Sequence, residues 1–329
     1  MGDAGLFRLP KLDQRTMKVT QLPLEHFVRQ SYSMILEKNF IMNKKKNYAT
    51  LLLILVTQVM VSQAKVASNG SMDSPNILFV FSDDHAWQSI GAYGGRLKEV
   101  AHTPNIDKLA SEGMLFRKCF VANALCGPSR AAVLTGKYGH RNGVTWNRNT
   151  NFDGSQQTFP KMMRQNGYQT AIIGKWHLAS VPTGFDYFDV MKGQGRYYNP
   201  FLQRGNAEGL QDTRTVVGYN SDIVGDLTIE WLKNGRDKSK PFMLMSQFKA
   251  THHGFCPGPE EYDLYDDVHI PEPDNLFDDF SYRGTAIREQ TLTLYKNLSH
   301  AILVGDPGEL GELNPDQRKA WDAYRSKFS

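Results

Sequence analysis

A chain of 329 residues with 40% apolar and 22% charged side chains has the length and composition of one large α/β domain, or two small ones, with ample core. Its formal charge of +4 does not mark a nucleic-acid binder, because residues 1–46 hold nine Lys or Arg against four Asp or Glu and the remainder holds 29 against 30. A basic face for a polyanion is therefore excluded as the feature that organises the chain.

The apolar run Tyr48 to Val61 follows Lys44-Lys45-Lys46 and precedes Ser62-Gln63-Ala64. These are the three parts of a secretory signal, too short for a membrane span, with cleavage expected after Ala64. Because such a signal begins near a chain start, Met42 is the expected true start. The expected organisation is a non-native or disordered extension over 1–41, a signal peptide over 42–64, a polar Gly/Ser-bearing linker over 65–75 and the folded domain over 76–329. The mature protein is expected to be exported, either periplasmic or secreted.

Asn76 to Phe81 is a continuous apolar run with β-branched and aromatic members, the pattern of a strand buried on both faces. Thr103 to Gly113 carries a cap residue, a Pro at the first helical position and a Gly past the end, so it reads as a short helix. Met114 to Val121 reads as a second strand, and Ser129 to Leu134 as a helix. Thr158 to Asn166 has helical spacing and stops at Gly167. Gln169 to Ile173 is a third strand, Asn220 to Asn234 an amphipathic helix, and Phe242 to Phe248 a fourth strand. From His253 the chain is loop-like, with no internal repeat, and Pro315 to Phe328 reads as a polar helix. Strands alternating with helices imply βαβ units and a mainly parallel sheet.

Ligands in open α/β sheets bind beyond the carboxyl ends of the strands. The first predicted strand ends in Asp83-Asp84, the second leads into Cys126, the third ends in Lys175 and His177, and the fourth leads into His252. Adjacent carboxylates repel unless a cation lies between them, and such hard oxygens suit Ca²⁺ or Mg²⁺ better than zinc. A solvated acidic turn is the alternative. The three cysteines have no metal spacing. Cys119, in an apolar run, and Cys256, in a Gly/Pro loop, read as structural. Cys126, just before Pro128-Ser129-Arg130, would sit at the positive end of a helix, where an anion is also stabilised. Arg130 lies one helical turn on and can reach back toward it.

Cys126-Gly127-Pro128-Ser129-Arg130 followed by Leu134-Thr135-Gly136 resembles the signature of the type I sulfatases. That resemblance implies an alkaline-phosphatase-like α/β fold, a mainly parallel sheet with helices on both faces. It also implies that a separate formylglycine-generating enzyme oxidises Cys126 to formylglycine, whose hydrated aldehyde attacks sulfur. By the same resemblance Asp83, Asp84 and residue 126 bind calcium, and Arg130 stabilises the hydrate. Lys175 contacts sulfate, His177 acts on the second hydroxyl of the hydrate, and His252 contacts sulfate and protonates the leaving alcohol. Where the family has Pro before that histidine this chain has Thr251, which leaves His253 as a substitute.

The similarity runs from about Asn76 to about Phe280. It is closest to N-acetylglucosamine-6-sulfatases, through Val121 to Leu125, Gly154 to Pro160, Gly174 to Leu178 and Leu264 to Asp267. The implied substrate is a sulfated sugar of a glycosaminoglycan or mucin-type glycan, with 6-O-sulfated N-acetylglucosamine first. A phosphonate or phosphate ester hydrolase of the same superfamily and a non-catalytic fragment are the competing expectations. Sulfatases supply further metal ligands from a later strand ending in Asp followed by Asn, Gln or His, and no such strand follows His252. The nearest run, Ala301 to Val304, leads into Asp306-Pro307. The chain is therefore expected to be an N-terminal portion of a sulfatase, with an incomplete sheet.

Overall fold

Six strands form one sheet in this computed structural model, which describes residues 74–148, 151–291 and 307–328. The expected extension, the signal segment, most of the linker and the Ala301 to Asp306 run lie outside the described residues. The strands are β1 (Ile77–Phe81), β2 (Gln169–Lys175), β3 (Tyr187–Met191), β4 (Phe201–Asn206), β5 (Gly209–Thr215) and β6 (Phe242–Gln247), in the order β1-β6-β2-β3-β4-β5. The first four in that order pair parallel, while β4 and β5 close the far side as antiparallel strands.

Both faces of the parallel part are covered, which is why its strands read as unbroken apolar runs. Helix α1 (Pro104–Glu112) falls where residues 103–113 read as a helix. On one face Ile172, Met243 and Met245 pack with Ala131 and Leu134 of helix α2 (Cys126–Thr135) and with Phe159 and Met163 of α3 (Phe159–Gln165). On the other, Ala171, Ile173 and Leu244 meet Ile223 and Val224 of α4 (Asn220–Glu230) and Trp231 of the wide π turn that prolongs it. Each such fully buried aliphatic side chain contributes about 1.5–3 kcal/mol. Gly174 is required where β2 meets β6: its φ is 102°, and a Cβ there would lie 1.9 Å from the Gln247 carbonyl oxygen.

A third cluster, Tyr197, Tyr198, Cys256, Leu310 and Trp321, binds the 307–328 segment to the loop after β3. Tyr197 N donates to Glu309 O and Tyr198 N to Leu310 O, both at 2.8 Å. Helix α5 (Pro315–Ser326) starts with a reciprocal cap in which Gln317 N donates to Asn314 Oδ1 and Asn314 N to Gln317 Oε1.

Three expectations need correction. Met114 to Val121 is irregular, not a strand, and its apolar residues are exposed, Phe120 at 88%. The composition is strand-like, but among the described residues no neighbouring strand pairs with it. Among the described residues β1 stands at the edge of the sheet, and it is not buried on both faces. Ile77 and Phe79 pack into the first core, while Leu78 and Val80 stand 48% and 59% exposed. Cys119 is exposed, so its apolar run does not make it a buried structural residue, whereas Cys256 is buried as expected. The strands β3 to β5 had no forecast, because β4 and β5 mix Gln, Arg and Asp into their apolar positions.

Candidate active site

The carboxyl ends of β1, β6 and β2 lie side by side, so the residues just past these three strands share one edge of the sheet. The backbone continues the β1 and β6 pairing past the strand ends: Phe248 N donates to Phe81 O at 2.7 Å, Asp83 N to Ala250 O at 3.2 Å and Thr251 N to Asp83 O at 2.7 Å. This zipper holds Asp83 against His252. Cys126 is the first residue of α2, three residues earlier than the predicted start, and Gly127 N donates to Asn147 Oδ1 at 3.0 Å.

Ligand atoms of Asp83, Cys126 and His252 all lie within 4.8 Å of one another. Asp84, with φ 56°, is exposed and its carboxylate stands outside that trio. It nevertheless shares with Cys126, Ser129 and Arg130 the wall of a cavity of about 360 Å³. Beneath the trio sit two buried cations. Lys175, fully buried, forms an ion pair with Asp83, and its Nζ donates to Gln194 Oε1 at 2.5 Å. Arg130, 4% exposed, donates to Lys175 O at 2.8 Å and to Gln247 Oε1, and its Nη2 lies 3.4 Å from Asp83 Oδ2. A carboxylate so flanked stays ionised: burial raises its pKa, but Lys175 and Arg130 together pull it below the usual carboxylate value.

The other site groups follow the same physics. Burial pushes the Cys126 thiol up and Asp83 and Asp84 add to that, outweighing Lys175 and Arg130, so it is a neutral thiol at pH 7. The helix end alone does not make it a thiolate. Burial lowers Lys175, against the pull of Asp83. His177 takes the left-handed conformation, φ 49°, and is 8% exposed with Nδ1 unpartnered. Burial, then Lys175 and Arg130, push its pKa down to about 4, so it is a neutral base at pH 7. His252, 3% exposed, has Nδ1 at 3.1 Å from His253 O, which favours the Nδ1–H tautomer. Its pKa is lowered by burial and by Lys175 and Lys249.

Predicted residues Asp83, Cys126, Arg130, Lys175 and His252 are thus brought together, with His177 in their electrostatic reach. His253 is exposed, and its ring lies tilted against that of His252 with centroids 4.2 Å apart. Sequence reasoning missed Gln194, Gln247, Lys249 and Glu309. Lys249 is fully buried and paired with Glu309, whose Oε2 stands 3.9 Å from His252 Nδ1. Lys249 lies two residues past the end of β6, as Lys175 ends β2, a signal that was available. Glu309 comes from 60 residues further on and had none.

The donor set bears on the metal. Carboxylate, thiol and imidazole together suit zinc better than calcium. Replacing sulfur 126 by oxygen, and drawing on Asp83 and Asp84, turns the set into hard oxygens of the kind calcium takes. That is three donors where calcium takes about six to eight, so the described residues fit part of a calcium shell.

Fold and site together define an α/β protein of the alkaline-phosphatase type, with a buried cationic floor suited to a tetrahedral anion. The model of the sulfatase family matches residues 75–298, and the chain belongs to that family. It is 44% identical to an N-acetylglucosamine-6-O-sulfatase of Bacteroides thetaiotaomicron over 78% of this chain and 44% of the relative. It is 38% identical to the human N-acetylgalactosamine-6-sulfatase over 57% of this chain and 41% of the relative. Among solved structures, BT4656 in complex with its substrate D-glucosamine-2-N,6-O-disulfate is 39% identical, with a TM-score of 0.68 over 77% of this chain and 53% of that one. The chain spans about half the length, or less, of these relatives.

Proposed function

We propose that the protein is a sulfuric ester hydrolase that removes the 6-O-sulfate of a glucosamine-type sugar, N-acetylated or N-sulfated, in a glycosaminoglycan or mucin-type glycan. The observation that carries the reading is Cys126 at the start of α2, within 4.8 Å of Asp83 and His252 and above buried Lys175 and Arg130. The sugar rests on the 6-sulfatase relative and on the sulfated glucosamine bound by BT4656.

Oxidised to formylglycine by a maturation enzyme, residue 126 supplies a hydrated aldehyde whose hydroxyl can attack sulfur. Asp83, Asp84 and residue 126 would hold a calcium ion, which when bound would supply positive charge to the site. The protein's own side chains do the rest. Lys175 and Arg130 face the site from below with their charge fixed in place, which favours the growing negative charge without solvent rearrangement. His252, with Nδ1–H turned to the His253 carbonyl, presents Nε2. A bound sulfate anion favours its second proton, which is then delivered to the departing sugar oxygen. His177, neutral at pH 7, takes the proton of the second hydroxyl so that sulfate can leave. Export is proposed on the signal-like segment before Ala64, which fits a substrate outside the cell.

The test is co-expression with a formylglycine-generating enzyme and assay of N-acetylglucosamine-6-sulfate beside the 4-sulfated galactosamine isomer and an aryl phosphonate. Sulfate release from the 6-sulfated glucosamine alone is expected. Turnover of the phosphonate in preference would replace the reading by the phosphonate hydrolase.

A further inference from the structure

Asp83, Cys126 and His252 reach one point from three places in the fold: the turn after β1, the first residue of α2 and the loop after β6. Their ligand atoms all lie within 4.8 Å of one another, and Asp83 and His252 are 7% and 3% exposed. A tetrahedral zinc ion, with bonds of about 2.0–2.1 Å to oxygen or nitrogen and about 2.3 Å to sulfur, sets its ligands roughly 3.3–3.6 Å apart. The three atoms therefore need to close by at most about 1.5 Å, which a side-chain adjustment supplies.

Each member is already oriented as a metal ligand is. Lys175 and Arg130 both engage Oδ2 of Asp83, which leaves Oδ1 to turn toward an ion. His252 directs Nδ1 to the His253 carbonyl at 3.1 Å, the hydrogen bond by which metal-bound imidazoles are commonly fixed, and so offers Nε2. Cys126 stands at the positive end of α2, which favours a thiolate once a cation displaces its proton. Asp83 and Cys126 line the cavity that also holds Asp84, so a fourth ligand, water or that carboxylate, has room. A second trio, His252, His253 and Glu309, shares the imidazole, but it lacks sulfur and its carboxylate is paired with buried Lys249.

We propose that, before residue 126 is oxidised, Asp83, Cys126 and His252 bind one zinc ion. The sulfur electron pair forms the bond to the metal and the thiol proton passes to solvent, one for each ion bound. Borderline-soft zinc accepts this mixed set of carboxylate, thiolate and imidazole, whereas hard calcium does not. Loss of the sulfur removes the ligand that zinc prefers, so zinc affinity is a property of the unconverted chain. The inference rests on the geometry of the trio and not on the hydrolysis of any sulfate ester.

The test uses the full chain produced without a maturation enzyme and stripped of metal, with Zn²⁺ alone titrated against a chromophoric chelator. One zinc ion is expected to bind with a Kd of about 1 µM or tighter, and millimolar calcium should leave that affinity within about twofold. Co²⁺ in its place should show a thiolate-to-metal charge-transfer band. Cys126→Ser and His252→Gln should each weaken zinc at least about tenfold, while His253→Ala and Cys119→Ser should leave it within about twofold. Zinc should also protect Cys126, and not exposed Cys119, from alkylation read by peptide mass spectrometry, a comparison that needs no variant. A chain that binds no zinc, a cobalt complex without the thiolate band, or a Cys126→Ser variant with wild-type zinc affinity overturns the proposal. Zinc binding without sulfate release by the matured protein keeps this site and removes the sulfatase reading, and release without zinc binding does the reverse.

Discussion

Asp83 is the single anion between two buried cations, and replacing it by asparagine isolates what that arrangement contributes. Lys175 is fully buried, Arg130 is 4% exposed with Nη2 at 3.4 Å, and Asp83 is 7% exposed. Asn keeps the shape and one acceptor oxygen but leaves two desolvated positive charges facing each other. Removing one partner of a buried pair typically costs about 3–5 kcal/mol, because the partner stays buried without compensation. Lys175→Met is the control: it deletes one cation but leaves Asp83 paired with Arg130 at 3.4 Å, so no buried charge is left without a partner and the cost should be smaller, about 1–2 kcal/mol. At the 2–4 °C per kcal/mol usual for a domain of this size, Asp83→Asn should lower Tm by roughly 10 °C and Lys175→Met by less than half of that. Urea and thermal unfolding followed by tryptophan fluorescence, with EDTA present so that no divalent cation contributes, give the comparison. An Asp83→Asn variant within about 0.5 kcal/mol of wild type, or a Lys175→Met variant that loses more than it, would refute the electrostatic reading of the site.

The remaining predictions use other links. His177 has a folded pKa of about 4, below its unfolded value, so its stabilising contribution is complete above about pH 6.5 and is lost as pH falls toward 4. The loss should be roughly 2 kcal/mol after allowance for solvent contact, and His177→Gln should flatten that part of a urea-denaturation pH profile. An unchanged slope would show that the imidazole is not buried in its neutral form. Gly174→Ala places a Cβ 1.9 Å from the Gln247 carbonyl oxygen at a φ of 102°, and should cost more than about 3 kcal/mol or prevent soluble expression. On β1, Leu78→Lys and Val80→Lys should change stability by no more than about 0.5 kcal/mol while Phe79→Ala costs about 3 kcal/mol. Equal losses at all three positions, read by chemical denaturation, would mean that both faces of β1 are covered.

Much of this site could be read before any coordinates because strand ends in a parallel sheet point one way. Asp83, Lys175, His177 and His252 each come after an apolar run that became a strand, and the rule that ligands sit beyond those ends placed them together. Cys126 reached the same place by a different route. The run before it is not a strand, and helix α2 itself, begun at Cys126, delivers the side chain. Apolar composition cannot say whether a segment has a neighbour to pair with, which is why Met114 to Val121 misled and why the open side of β1 was not foreseen. Glu309 and Gln194 were invisible for another reason. Their roles depend on a turn after β3 and on a segment held to it by Tyr197, Tyr198 and Trp321, contacts that no local pattern encodes.

The central claim is that the side chain at 126, once oxidised, is what breaks the sulfate ester. Its most direct measurement pairs peptide mass spectrometry of position 126 with sulfate release from N-acetylglucosamine-6-sulfate, across preparations matured to different extents and in Cys126→Ala. Release that rises in proportion to the converted fraction, and falls to background in Cys126→Ala, is the predicted result. Release by Cys126→Ala at the wild-type rate, or none from fully converted protein supplied with calcium, would contradict it.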